Sequence, residues 1–338
     1  MSITIRDVAR RAGVSVATVS RVLNGSELVR DETRRRVEGA AAELRYTPNG
    51  AARSLITRRT GTFGVVLPDL FGEFFSEVIR GMDPLARGRG YHLLLSSSHD
   101  EQREIEFALG AMRGRVDGLV VMSPNVGAAA LAPSLPPDTP VVLLNCDAAG
   151  SPFSALAVDN AGGARAVVRH LASLGHTRIG MLRGGDANVD ARERQRGYRE
   201  ALAEAGLEGA GGRWEAPGGF TEAGGHRATL ELVRRPDAPT ALFCANDSMA
   251  VGALSALHEL GLGVPGDVAV AGFDDIPIAR YLSPPLTSVH VDVHRLGERA
   301  IELLCQALAD PGAPPVQERV AADLVVRRSC GARAPGEA

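Results

Sequence analysis

The side chains with candidate chemistry stand at the ends of the chain's apolar runs. Asp69 follows "TFGVVLP" (62–68), Ser97 ends "YHLLLSS" (91–97), Ser123 ends "DGLVVMS" (117–123) and Asn145 ends "PVVLLN" (140–145). Farther on, Gly184 lies just past "RIGML" (178–182), Asn246 and Asp247 follow "ALFCA" (241–245), and Asp274 with Asp275 closes "VAVAGFD" (268–274). The set is polar, hydrogen-bonding and only partly charged, which suits a hydroxyl-rich small molecule. Asp69, Asp274 and Asp275 could in principle supply an acid/base pair for glycoside chemistry. There is, however, no nucleophile elbow, Gly-rich phosphate loop or metal-ligand cluster, and His170, His176, His290 and His294 fall outside these loops. The expectation is a binding cleft, not an enzyme, with no metal and no cofactor. Cys146, Cys244, Cys305 and Cys330 are far apart with no CxxC pair, so they are expected to be small buried residues.

A second candidate stretch is "GVSVATVSRVLNG" (13–25), a short helix capped by Ser15 and ended by Asn24-Gly25. A solvated helix face normally carries Glu and Lys, yet this one offers Ser15, Val16, Ala17, Thr18 and Arg21. Charge points the same way. Residues 1–60 hold twelve Arg against six acids, although the 338-residue chain has a net charge of −3. A basic amino-terminal segment on an acidic body suggests a small nucleic-acid module joined to something that needs no polyanion. The chain contains no lysine, so every cationic phosphate contact must come from Arg.

The elements that position these residues follow from periodicity. "TIRDVARRAGV" has Thr4 as N-cap, Asp7 as its capping-box partner, and Ile5, Val8, Ala9 and Ala12 on one face. Gly13 supplies the turn into the second helix, whose buried stripe is Val16 or Val19 with Val22 and Leu23. "RDETRRRVEGAAAELRY" is a third, with Val37, Ala40, Ala41 and Leu44 inward and Arg34, Arg35 and Arg36 outward. Two short helices joined through Gly make a helix-turn-helix unit. "TPNGAARSLITRR" (47–59) is a linker in which about two turns of helix from Gly50 have almost no apolar face and are marginal alone in water. From Gly61 the strands alternate with helices in two series, which implies parallel sheets in two doubly wound lobes with ligands at the carboxyl ends of strands. No apolar run reaches a membrane span and the first thirty residues lack a signal-peptide core, so a cytoplasmic protein with no membrane partner is expected.

Over nearly its full length the chain resembles the lactose-repressor/galactose-repressor family of bacterial transcription factors. The resemblance rests on "TIRDVARRAGVSVATVSRVLNG", "YTPNGAARSL", "GVVLPD", "FFSEVIRGMDPLARGRGY", "DGLVV", "AVDNAGGARAVVRHLASLGHTRIGML", "RQRGY", "ALFCANDSMAVGAL" and "VAVAGFDDIPIARYLSPPLTSV", in the family's order. It implies an all-α helix-turn-helix headpiece (1–46) and a hinge helix (47–60). An α/β two-lobed core like the periplasmic sugar-binding proteins then follows (61–338). The first lobe would span about 61–160 plus 290–322, and the second about 161–289 plus the carboxyl-terminal segment. The implied partners are a double-stranded DNA operator, a small sugar-like effector and a second copy of the chain, because two headpieces read two halves of a pseudopalindrome. No leucine heptad closes the chain, so a dimer is expected before a tail-assembled tetramer.

By the same resemblance, Val16 and Ala17 face base edges and Arg21 makes a bidentate bond to guanine. Thr4, Ser15, Thr18, Ser20 and Asn24 fall on the DNA face, with Ser15, Thr18 and Asn24 donating to phosphates. Leu55 matches the leucine that wedges between bases in the minor groove, flanked by Asn49, Ala52 and Arg53. Arg194, Asn246 and Asp274 fall at effector-contacting positions, Phe220 where a ring stacks on the ligand, and Phe74 with Asp69 on the opposite side. Phe75 is expected in the core, and one of Asp274 and Asp275 as a helix cap. Ser97, Ser123 and Asn145 are further candidates at the strand ends. Two departures stand out. Gly72-Glu73 replaces the Asn-Pro that many members have before the paired Phe, and Val291 replaces a polar cleft residue of some relatives. The expected function is an operator-binding repressor controlled by a sugar or sugar derivative. Its alternatives are a purine or other non-sugar effector, a DNA binder without effector response, and, remotely, a carbohydrate enzyme. A transport-type binding protein shares the core fold but would carry a secretory signal and no DNA module.

Overall fold

The computed structural model describes residues 3–23, 28–46, 59–99, 101–207 and 212–331. The expected roles of Asn24, Asn49, Ala52, Arg53 and Leu55, and the hinge helix itself, lie outside the described residues. The chain divides into two compact units, Met1–Gly61 and Thr62–Ala338.

In the first unit, α1 (Ile5–Ala12), α2 (Val16–Leu23) and α3 (Asp31–Glu43) enclose a small core. That core is Val8, Ala9, Ala12, Val19, Val22, Val37, Ala40 and Ala41, with Ile5, Leu23 and Leu44 packed at its edge. Asp7 Oδ2 accepts both the Thr4 backbone N–H (3.0 Å) and the Thr4 hydroxyl (2.7 Å), which fixes the start of α1. Gly13 ends α1 at φ +63°, the left-handed region that a side chain disfavours. Arg11 pairs with Glu43 at 2.7 Å and ties the end of α1 to the end of α3.

The second unit contains two six-stranded sheets. Along the chain run β1 (Thr62–Leu67), α4 (Glu73–Gly88), β2 (His92–Ser97), α5 (Gln102–Met112), β3 (Gly118–Met122), α6 (Ala128–Leu131), β4 (Val141–Leu144) and β5 (Ser154–Val158). Then come α7 (Asn160–Ser173), β6 (Ile179–Arg183), α8 (Val189–Glu204), β7 (Glu215–Pro217), α9 (Glu222–Val233), β8 (Ala241–Cys244), α10 (Asp247–Glu259) and β9 (Ala269–Asp274). The last elements are β10 (Thr287–Val291), α11 (Val293–Ala309), β11 (Gln317–Val320) and β12 (Ala322–Val325). One sheet has the order β11-β5-β4-β3-β1-β2, all parallel, and the other β12-β10-β9-β8-β6-β7, parallel except for β12 against β10.

The chain therefore passes between sheets three times, between Val158 and Asn160, Val291 and Val293, and Val320 and Ala322. His290 and Val291 lie in the second sheet opposite Asp323 and Ala322, so the return to the first lobe begins after Val291. The returning α11 packs on α4 at a close crossing. A Cβ on Gly81 would lie 2.0 Å from the His294 carbonyl oxygen, and one on Gly297 would lie 2.2 Å from that of Val78. β5, β7, β10, β11 and β12 were not among the runs read from sequence. β7, β11 and β12 are three or four residues long, and β11 alternates between exposed and half-buried residues at a sheet edge, whereas β5 and β10 are as long as β3 and β6. Among the described residues no helix is long and apolar enough to cross a membrane.

Candidate functional site

On α2 the burial pattern separates two faces. Val19 and Val22 are buried, while Ser15, Ala17 and Arg21 are exposed and Val16 is 41% exposed. Val19, not Val16, supplies the apolar stripe. Ser15 Oγ caps the helix by accepting the Thr18 N–H at 3.1 Å and lies 2.9 Å from the Thr18 hydroxyl. One hydroxyl of that pair donates to the other, which keeps its own proton to donate. Thr18 and Ser20 are half-buried beside them. Thr4 differs, because its hydroxyl proton is committed to Asp7. A phosphate would have to compete for it.

The larger unit holds a cavity of about 420 Å³ where the carboxyl ends of strands from both sheets face each other. Asp69, Phe74, Asn145, Arg194, Phe220, Asn246 and Asp274 line it; Ser97 and Ser123 do not. The Ser123 hydroxyl turns back to donate to the Val126 carbonyl at 2.8 Å and is 1% exposed. Ser97 sits at the end of edge strand β2, 3.5 Å from His99 Nε2. Standing at a strand's end places a residue near the cleft but does not aim its side chain there.

Arg194 organises the floor. Its guanidinium Nε donates to Asn160 Oδ1 at 2.7 Å, Nη1 donates to the Ala245 carbonyl, and Nη2 lies 3.2 Å from Asp274 Oδ1. The plane lies over the Phe273 ring, 3.8 Å from its centroid, with the Phe220 ring 5.9 Å away. The guanidinium is thus largely committed to the protein, and an N–H on each terminal nitrogen remains. The neighbouring arginines turn elsewhere: Arg192 binds the Asp186 and Ala187 carbonyls, and Arg196 pairs with the Glu193 and Glu200 carboxylates.

Asp190 also lines the cleft, as do His99, Asn188, Thr221 and Glu222, none of them expected from the strand ends. Asp190 stands one turn before Arg194 on α8, is buried, and accepts from Asn160 Nδ2 at 2.9 Å. The i, i+4 carboxylate–arginine spacing was the signal that would have found it. Burial pushes the Asp190 and Asp274 carboxyls up to about 6, against the pull of the guanidinium they share. Asn145 Oδ1 is buried on the cavity wall and has no hydrogen-bond partner among the described residues, an acceptor available to a ligand. Asn145, Phe220 and Asp274 hold φ values of +46°, +62° and +100°, backbone strain gathered at one site.

The remaining walls are equally specific. Asn246 caps α10 by accepting the Met249 N–H at 2.9 Å and gives one amide hydrogen to the Phe220 carbonyl at 3.1 Å. What it has left for a ligand is a donor. Gly184 makes room for Phe220, since a Cβ there would lie 2.3 Å from the ring. Asp69 Oδ1 accepts the N–H groups of Leu70 and Phe71 at 2.7 and 3.0 Å, folding its own loop so that Phe71 reaches the cavity. Phe74 and Phe75 meet edge to face at 5.4 Å, and both line the cavity, so Phe75 is not confined to the core. Asp275 is neither cap nor cleft residue; it pairs with Arg327 at 2.6 Å and His290 at 3.3 Å. Glu73, from the departing Gly72-Glu73 pair, accepts the Ile278 backbone N–H at 2.9 Å and so joins the lobes across the cleft.

Comparison with known proteins bears on both units. Residues 4–49 match the model for bacterial regulatory proteins of the lacI family, and residues 168–330 match that for a periplasmic binding protein-like domain. The chain is similar to the HTH-type transcriptional regulator GalR of Escherichia coli (strain K12), 39% identical over 329 residues, covering 96% of this chain and 94% of the relative. Its fold is similar to the lac repressor dimer bound to operator and the anti-inducer ONPF. That match has a TM-score of 0.88 and 30% identity, over 98% of this chain and 100% of that one. It also resembles the transcriptional regulator CelR in complex with cellobiose, with a TM-score of 0.72 and 33% identity, over 97% and 99% of the two chains.

Proposed function

Because the chain belongs to the lacI family of DNA-binding transcriptional regulators, we propose that it is a repressor that binds a pseudopalindromic operator as a dimer and responds to a sugar-like effector in the interlobe cleft. The observation that carries the DNA half is the face of α2. Val16, Ala17 and Arg21 are exposed together while Val19 and Val22 hold the core. A helix that enters the major groove needs short leading side chains and a long donor, and Arg21 is that donor, read as bidentate to guanine. Ser15 and Thr18 position the helix on phosphates. Leu55 is assigned to the minor groove at the operator centre, where unstacking one base step costs a few kcal/mol and the bend it creates offsets that cost.

The effector half rests on the cavity, where aromatic rings from both lobes accompany hydrogen-bonding groups at the strand ends. Rings cover the apolar faces of a sugar, while carboxylates and amides meet its hydroxyls. An effector with different affinity for two lobe arrangements changes operator affinity, and the operator changes effector affinity by the same factor. The fold, as a binding cleft, needs no covalent step.

The test is selection of fragments from the source genome by the purified protein, followed by titration of the selected duplex with and without a panel of sugars. A two-fold-symmetric site whose affinity shifts with a sugar is expected. No preference for any symmetric duplex over random DNA would overturn the reading.

A further inference from the structure

Four helices begin at the cavity. The N-caps of α4, α8, α9 and α10 are Gly72, Asn188, Thr221 and Asn246, and all four line it. Helix N-termini converging on one cavity are by default a place for an anion, because their free amides and dipoles favour negative charge. Here that default is weakened, by side-chain caps on three of the four and by a carboxylate on each. Asn188 Oδ1, Thr221 Oγ1 and Asn246 Oδ1 accept amides of their own first turns at 3.0, 3.0 and 2.9 Å. Each of the four helices also carries a carboxylate in its first turn, namely Glu73, Asp190, Glu222 and Asp247.

The side chains on the wall repeat the pattern. Among the described residues, Asp69, Glu73, Asp190, Glu222 and Asp274 line the cavity against one guanidinium, that of Arg194, much of which is bound by protein acceptors. His99 is the other basic group there, and it lies 3.5 Å from Ser97 Oγ. Beside these carboxylates the unpartnered Asn145 Oδ1 adds a neutral acceptor that is nine-tenths buried. The charge on the wall is mostly carboxylate, and its remaining donors are single N–H groups such as those left on Arg194 and Asn246, so a ligand that brings donors is favoured. Hydroxyls and amines do that; phosphate and carboxylate groups bring further acceptors and a like charge.

Resting on the reading of the cleft as a sugar-type effector site, we propose that it selects a non-anionic polyol, neutral or amine-bearing, and rejects the same skeleton once it carries a phosphate or a carboxylate. Glu73, at the position where this chain departs from its family's usual pair, contributes to that rejection together with Glu222.

The test is calorimetry on the full-length protein at pH 7.5 with matched sets: hexoses, the corresponding hexosamines, hexose 6-phosphates and hexuronates, and pentoses with their 5-phosphates. At least one neutral or amino member should bind, with its phosphate or uronate at least about ten-fold weaker. The deficit should shrink in about 0.5 M salt, which screens repulsion at the exposed mouth. In the double variant Glu73→Gln/Glu222→Gln, whose folding is checked by its melting curve, the ratio between neutral and phosphorylated forms should fall. A phosphorylated or carboxylated member that binds as tightly as its neutral parent overturns the selectivity while leaving the sugar reading intact. Silence from every set overturns the sugar reading, and the selectivity with it.

Discussion

Arg194 and Asp274 form an ion pair at 3.2 Å with side chains only 4% and 7% exposed. The residue before Asp274 takes the other surface of the same guanidinium, so one strand end supplies both an edge contact and a face contact. Asp190 approaches through Asn160. A buried cation thus compensates two buried carboxylates, an arrangement in which losing the cation is far worse than never having built it.

Replacing Arg194 with Met should therefore destabilise the core by about 3–5 kcal/mol at pH 7.5 and remove effector binding. The loss should be smaller at pH 5, where Asp190 and Asp274 regain protons. Urea unfolding at both pH values checks this; an equal loss at the two would count against the shared-charge account.

The two raised carboxyls set a pH dependence with a definite sign. Unfolded, each titrates near 3.8; folded, near 6. Between those values the folded state holds more protons, so their contribution to stability falls as pH rises from about 4 to about 6 and levels off above. Asp190→Asn removes one such contribution, so the variant's stability relative to the parent should rise with pH across that window. A flat difference would contradict the burial that raises the carboxyl.

Headpiece predictions separate reading from folding. Val16→Ala should change folding stability by less than about 0.5 kcal/mol, whereas Val19→Ala should cost roughly 2 kcal/mol, since only the second deletes core methyls. Arg21→Ala should weaken operator binding by about 1–3 kcal/mol and relax preference at one base pair per half-site. A uniform loss across sequences in a binding-site selection would mark Arg21 as a phosphate contact instead.

Glu73 joins α4 to the backbone of Ile278 across the cleft mouth. Glu73→Ala should reduce affinity for whichever polyol of the panel binds by about three- to ten-fold, the worth of one hydrogen bond that favours closure. Unchanged affinity would remove the clasp.

Ser123→Ala serves as the contrast. Its hydroxyl is spent on Val126, so the variant should lose about 1 kcal/mol of stability and keep its ligand affinity. A loss of affinity measured by calorimetry would return Ser123 to the cleft.

Local periodicity determined much of this molecule. The three headpiece helices, the turn at Gly13 and the alternation of strands and helices were legible because each depends on residues within one or two turns of one another. The strand ends likewise marked out Asn145, Asn246 and Asp274. What the chain's order left undecided were facts of distance in space. Whether Val16 or Val19 faced inward depended on where α1 and α3 lie. Whether Ser123 and Asp275 pointed at ligand or at protein depended on Val126, Arg327 and His290. Asp190 became a cleft residue only when α8 met β9, from eighty residues farther along, and shared its charge with Arg194. Hydrogen bonds and ion pairs are satisfied by whatever partner the packed chain brings within about 3 Å, and that choice is made by the tertiary fold alone.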